Sequence, residues 1–292
     1  MQWTRKYTLG GVFVPLTFAI MLWLYWQDAN SSGVLLEIGS TQEDRLDVQA
    51  SIQTIDPIKG EMSVRLDFSG HGQGLVNGDG ALLKEINIIT NSALKHEIQF
   101  KKGQRLSAVD IVIGLYDGQY SRYPFDRHRA DLELSGWTNE SSENAGVLPL
   151  QLELSGAVPG LKVQAKADPE VAATFKSDPR RLADAGFVSV QLGVERSATT
   201  TFWALFVMLL LWAMALAVVA VTSAFAMGKR KLEFGAFTWM GSMLFAFVGF
   251  RSAAPGVPPI GALIDVLAFF WAELIVALCL VMTVVVYLRR SP

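Results

Sequence analysis

Cysteine is nearly missing from this 292-residue sequence, and its one thiol, Cys279, lies inside an apolar run. An intrachain disulfide and a paired-cysteine zinc site are therefore excluded. Histidine is scarce as well: His71, His96 and His128 stand far apart, a poor start for a metal site. A dominant charge sign is also lacking. The chain has 25 basic and 27 acidic residues, net −2, so nucleic acid is not an expected partner. The short signatures of serine hydrolases, zinc peptidases and nucleotide-binding loops (GxSxG, HExxH, Walker) do not occur. The glycine-rich "SGHGQGLVNGDG" lacks the strand-then-helix context that phosphate binding needs, and reads as a hairpin loop. No enzyme activity and no cofactor are expected.

What the chain has is long apolar runs. A bilayer core takes about 20 mainly apolar residues as a helix. Four runs approach that length: Tyr7 to Trp26, Thr201 to Met227, the shorter Phe234 to Phe250, and Ala262 to Leu288. They predict four transmembrane helices, an anchor at 7–27 and three spans at about 201–227, 234–250 and 262–288. The first run ends in Trp23, Tyr25 and Trp26, which suit a membrane interface, and its apolar core is longer than that of a signal peptide. It reads as a retained anchor in preference to a cleaved signal peptide. Pro15 within it requires a neighbouring helix or water to satisfy the freed carbonyl.

Basic residues set the direction. Arg5 and Lys6 precede the first run, Lys229, Arg230 and Lys231 separate the second from the third, and Arg289 and Arg290 follow the fourth. Placing these on one side puts residues 1–6 and the C-terminus in the cytoplasm and residues 28–199 outside the cell membrane.

The segment 28–199 is strand-like. Met62, Val64, Leu66 and Phe68 alternate with polar residues, as do Leu150, Leu152 and Leu154, and Val188, Val190, Leu192 and Val194. A period of two with one apolar face means half-buried strands. Further candidates cover 45–55, 84–90, 96–101, 108–116, 128–135 and 160–166. An all-β extracytoplasmic domain follows, with a β-sandwich favoured and a barrel also open. The stretch around "ADPEVAATFKSDPRRLADAGF" carries two Asp-Pro pairs and predicts short helices.

Three groups of residues carry possible function. The first is the turn Tyr123, Pro124, Phe125 and Asp126 in "YPFDRHRADLELSGW". Pro124 presets φ, Asp126 accepts backbone hydrogen bonds, and Tyr123 and Phe125 plug an apolar gap. The second is the stiff loop Arg251 to Asp265, with Pro255, Pro258 and Pro259. Arg251 and Asp265 are expected to pair at its rim, where an exposed pair contributes about 0–1 kcal/mol. The third is Glu273, eight residues past Asp265 and so about 12 Å along the fourth span, near the bilayer midplane. A carboxylate there costs about 2.5–3.5 kcal/mol unless it is paired or protonated. Thr238, Ser242 and the Trp239 indole on the third span are its expected partners, and a buried helix–helix hydrogen bond or an ion site are the two uses. The same span carries small residues at Gly235, Thr238, Ser242, Ala246, Gly249 and Ala253, which suit close helix packing or a narrow pore. Phe237, Phe245, Phe247 and Phe250 on other faces suit lipid.

The anchor, the outer domain with "YPFD", three C-terminal spans and the R-x3-PGxPPIG-x3-D loop followed by Trp271 resemble bacterial membrane proteins of the domain of unknown function 4436 family. That resemblance implies the architecture and no activity. The turn through Trp137 is also similar to the aromatic-Pro-Phe-Asp turn and strand of pentameric ligand-gated channels. There the turn lies at the foot of an outer β-sandwich and presses on the loop between the second and third pore-domain helices. This chain departs from them in its leading anchor, in having no fourth C-terminal helix, and in lacking a charged selectivity ring. The expectation is a non-enzymatic membrane protein whose outer domain docks on its own helices and binds a ligand or partner. Self-association as a channel-like homo-oligomer, or a place as accessory subunit of an envelope complex, are the two forms; the lipid bilayer is the common partner.

Overall fold

The computed structural model describes residues 4–30, 33–141, 144–175, 178–229 and 233–290. The chain divides into two units: a β unit that runs to Gly118 and resumes over Arg127–Glu195, and a helical unit made of Gln119–Asp126 and the chain from Arg196 on. The chain thus leaves the β unit for eight residues and returns before leaving it for good.

A helix, α1 (Thr4–Asn30), precedes the strands and contains Pro15. The anchor expectation falls partly on residues 7–13, whose side chains lie outside the described residues. From Val14 on, α1 exposes Leu16, Phe18, Leu22, Trp23, Tyr25 and Trp26.

The β unit holds β1 (Val34–Gly39), β2 (Arg45–Asp56), β3 (Glu61–His71), β4 (Glu85–Thr90), β5 (Glu97–Phe100), β6 (Val109–Gly114), β7 (Arg127–Ser141), β8 (Asn144–Val147), β9 (Leu150–Ser155), β10 (Leu161–Ala167) and β11 (Phe187–Arg196, whose last residue belongs to the helical unit). One sheet runs β1-β9-β2-β3-β6; the other runs β10-β11-β7-β4-β5, with β8 also on β7. Both sheets contribute to one core: Leu46, Val64, Ile111 and Leu152 from the first, Ile86, Leu132, Val190 and Leu192 from the second. Two sheets over a shared core make a sandwich, and the barrel is excluded.

Alternation carried most of this. Leu46, Val48, Ala50 and Ile52 of β2 point inward, as do the even-numbered residues Met62 to Phe68 of β3 and Val188 to Val194 of β11. Two strands escaped it. The run of β1, "VLLEIG", has no alternation and pairs with β9 through an irregularity between Val34 and Leu36. The short β8 is an add-on to the far end of β7, which extends past the expected 128–135. The Asp-Pro pairs behave as expected. Asp168 accepts from the Glu170 amide (2.8 Å) ahead of α2 (Pro169–Phe175), and Asp178 from the Arg180 amide (2.9 Å) ahead of α3 (Pro179–Asp184).

Glu133 on β7 offers a pH test. Burial, helped by the Asp131 and Asp168 carboxylates, holds its carboxyl above the usual carboxylate range. Such a group binds its proton more tightly folded than unfolded. Its favourable contribution is present below the unfolded value near 4.5 and is lost as pH rises through the higher folded value. Glu133→Gln is therefore expected to gain melting temperature over wild type at pH 7 and not at about pH 4. Melts at the two pH values that differ by the same amount would contradict this.

In the helical unit, Ser197 caps α4 (Ala198–Ala226) by accepting from the Thr200 amide at 3.2 Å. Then come α5 (Phe234–Ser252), a π-helical turn over Asp265–Phe269, and α6 (Phe270–Arg290). Ala204, Val207, Leu211, Ala215 and Val218 of α4 share a buried core with Ala268, Ala272 and Val276. The small residues allow close approach. Trp212 donates its indole N–H to the Leu267 carbonyl at 3.0 Å, within the π-helical turn.

Among the described residues, two helices are long and apolar enough to cross a membrane: Ala198–Ala226 and Asp265–Arg289. This is fewer than the four expected. α5 has 19 residues, is diluted by Gly235, Thr238, Gly241 and Ser242, and carries Arg251 in its last turn. The basic residues Arg230 and Lys231, used above for direction, lie outside the described residues.

Candidate functional site

The turn 119–126 is the part of the chain that departs from its sequence neighbours, since it folds with the helical unit. A single 3-10 turn, Tyr120–Arg122, leads in, and the Phe125 amide closes the turn onto the Arg122 carbonyl at 2.8 Å. The Tyr123–Pro124 peptide is cis. Tyr123 is fully buried and belongs to the same core as Ala204, Phe247, Ala254 and Ile264. Pro124 is buried too, whereas Phe125 is 53% exposed. The expected pair of plugs is thus one plug, Tyr123, while Phe125 faces outward.

Asp126 is buried at 2% exposure and meets the Arg196 guanidinium in a bidentate fork, with contacts of 3.0, 3.1 and 2.9 Å. The Arg196 guanidinium carbon also stands 5.1 Å from the centre of the Tyr123 ring. One arginine therefore clamps the turn by a charge pair and a cation–π contact, the latter contributing about 1–2 kcal/mol when desolvated. Arg196 is the final strand residue before the Ser197 cap, so the clamp sits one residue from the first membrane-length helix. Sequence reasoning missed it. The signal was an arginine directly ahead of a capping serine and an apolar run, a place where a charge needs a partner.

The loop 251–265 reaches the same clamp. Gly256 has φ +75, and a Cβ there would lie 2.6 Å from Nη1 of Arg196. Pro258 is buried, and Pro255 and Pro259 are half-buried. At its ends Arg251 and Asp265 pair as expected, but not at a rim. Their side chains are 10% and 0% exposed, and the fork is bidentate at 2.9 and 2.9 Å. The Gly261 amide adds a third bond to Asp265 at 2.8 Å. Burial makes removal of either partner alone costly, because the other is left as an uncompensated buried charge.

Burial pushes the Tyr123 phenol up to about 12, against the pull of the Arg196 charge. Its hydroxyl is buried with no hydrogen-bond partner among the described residues. Tyr123→Phe is accordingly expected to raise stability by about 1 kcal/mol, since an unpaired buried hydroxyl is costly. Tyr123→Ala is expected to lower it by about 3–5 kcal/mol. Thermal unfolding of the two variants checks both; a clear loss in the phenylalanine variant would mean the hydroxyl has a partner.

Glu273 does not find the partners expected for it. Ser242 gives its hydroxyl to the Trp239 carbonyl of its own helix at 2.8 Å, and Thr238 is exposed. Thr283 reaches Met240 on α5 at 3.7 Å, and Glu273 lies ten residues earlier, about 15 Å away along α6. The helices are therefore out of register for the expected bond. One Glu273 oxygen is buried with no hydrogen bond among the described residues.

The faces of α5 match the packing expectation only in part: Phe245 and Phe250 are exposed as expected. Met240, Phe247 and Arg251 form the buried stripe, and Phe247 is fully buried, not lipid-facing. Gly235, Thr238, Ser242, Gly249 and Ala253 are exposed.

Two family models match the chain. A domain of unknown function (DUF4436) covers residues 36–204, and another domain of unknown function (DUF8686) covers residues 196–290, starting at the clamp arginine. No curated protein matches it.

Proposed function

The chain belongs to the DUF4436 family, and from that premise we propose that it is a non-enzymatic, multi-pass membrane protein that couples events in its β unit to its helices. The observation that carries this reading is the clamp: Tyr123 and Asp126, bracketed by strand residues of the β unit, are held by Arg196 within the helical core. The β unit receives a ligand or a partner, and β6, β7 and β11 carry any displacement to the clamp through the chain itself. The β unit faces outward and both termini face the cytoplasm, as the basic flanks at Arg5, Lys6, Lys229 and Arg289 favour.

In its sharpest form the protein is a channel-like homo-oligomer with α5 toward the axis. The exposed row Gly235, Thr238, Ser242 and Gly249 supports that form, since small residues suit contact with a second helix or a narrow pore. The same row supports a second reading, an accessory subunit of an envelope complex. Light scattering on the detergent-purified chain, with ion flux from liposomes, separates them. A ring that conducts is the expected result. A monomer that leaves liposomes tight removes the channel form, and a stoichiometric membrane partner on purification favours the accessory one.

A further inference from the structure

The "RHR" that follows the turn opens β7. On β7 the even-numbered His128, Ala130 and Leu132 are buried, so Arg127 and Arg129 take the other face. On the neighbouring β11, Gly193 lies opposite Arg129 and Glu195 opposite Arg127. Together with Asp117 and Gln164 they bound a cleft of about 360 Å³ that lies wholly within the β unit. That size is in the range of small-molecule sites.

Gly193 opens it. A Cβ at that position would meet only the Gln164 carbonyl oxygen, at 3.9 Å. The charges around the opening are two of each sign and loosely engaged. Arg127 stands 3.7 Å from Glu195, and Arg129 stands 3.5 Å from Asp117. At such separations the ion pairs leave strong donors and acceptors for a guest. Two guanidiniums at i, i+2 on one strand face converge on a tetrahedral or planar anion. Two carboxylates beside them disfavour a bare anion and favour a guest that brings its own cation.

We propose that this cleft binds a phosphoryl–ammonium zwitterion of the phosphoethanolamine kind, its anionic group on Arg127 and Arg129 and its ammonium on Asp117 and Glu195. The guest is a free solute or a lipid headgroup. Glu195 precedes the start of α4 at Ala198 by three residues, a chain reach of about 10 Å, so the headgroup source is within range of the membrane-length helix. The inference rests on the reading that the β unit receives a ligand.

Calorimetry on the full chain in detergent, titrated with O-phosphoethanolamine, inorganic phosphate and ethanolamine, tests it. The zwitterion is expected to bind at least about tenfold more tightly than either half. Gly193→Val, a strand-compatible change that fills the cleft, and Arg129→Gln are each expected to weaken it by about tenfold or more; unchanged melting temperatures show that they fold. In nanodiscs, phosphatidylethanolamine that competes with the free probe identifies the lipid as the source, and failure to compete identifies a solute. No measurable binding, phosphate alone binding as well, or a Gly193→Val variant that binds normally each overturns the proposal. Binding is read without flux or oligomer state, so a chain that binds yet neither assembles nor conducts retires the channel form and leaves this site standing.

Discussion

Asp126→Ala is expected to destabilise the helical unit by about 3–5 kcal/mol. The carboxylate is 1% exposed at its side chain, and the Arg196 side chain it holds is 8% exposed. Without Asp126 the guanidinium is left as a buried, uncompensated charge beside an aromatic face. That penalty, and not the intrinsic attraction of the pair, sets the size of the effect. The double variant Asp126→Leu with Arg196→Leu is expected to recover most of the loss, because neither charge then remains to be desolvated. Thermal or denaturant unfolding of the purified chain measures both. If the single and double variants fall equally, the pair is held for its geometry and not for charge balance. If Asp126→Ala costs under about 1 kcal/mol, Arg196 is solvated in solution and the clamp does not exist as described.

Asp265→Ala is expected to cost a similar 3–5 kcal/mol by the same physics at the other end of the loop. Here a fully buried carboxylate serves two donors, the Arg251 fork and the Gly261 amide. Losing it strands a charge and a backbone N–H together. Arg251→Lys is the informative companion. A lysine keeps the charge but offers no planar fork, so it is expected to retain only part of the wild-type stability. Wild-type stability in this variant would mean that charge alone matters and that the bidentate geometry is incidental. Asp265→Asn is expected to fall between the two, since it still accepts from the Gly261 amide.

Of the candidate site, local features were legible. The turn at 123–126 announces itself through proline, aromatic and aspartate in a row, and the pairing of Arg251 with Asp265 spans only 14 positions. The clamp was not legible, because Asp126 and Arg196 are 70 positions apart and nothing in either neighbourhood names the other. The partners assigned to Glu273 were wrong for a related reason. Which residues of α5 and α6 meet depends on their sliding register, which packing sets, and Met240 meets Thr283. The row of small residues on α5 was seen and its direction was not: periodicity says which residues share a face, never which way that face points.

By itself the sequence determined the elements: a two-residue period makes half-buried strands from Leu46 to Ile52 and from Val188 to Val194, and uninterrupted apolar runs make α4 and α6. Those are local consequences of where apolar side chains fall along one stretch of backbone. Only the tertiary structure decided that β2 pairs in parallel with β9, that two sheets close over one core, and that residues 119–126 belong with the helices. Each of these is a choice among partners far apart in the chain, and it is made by which distant surfaces bury each other best, a quantity no single segment contains.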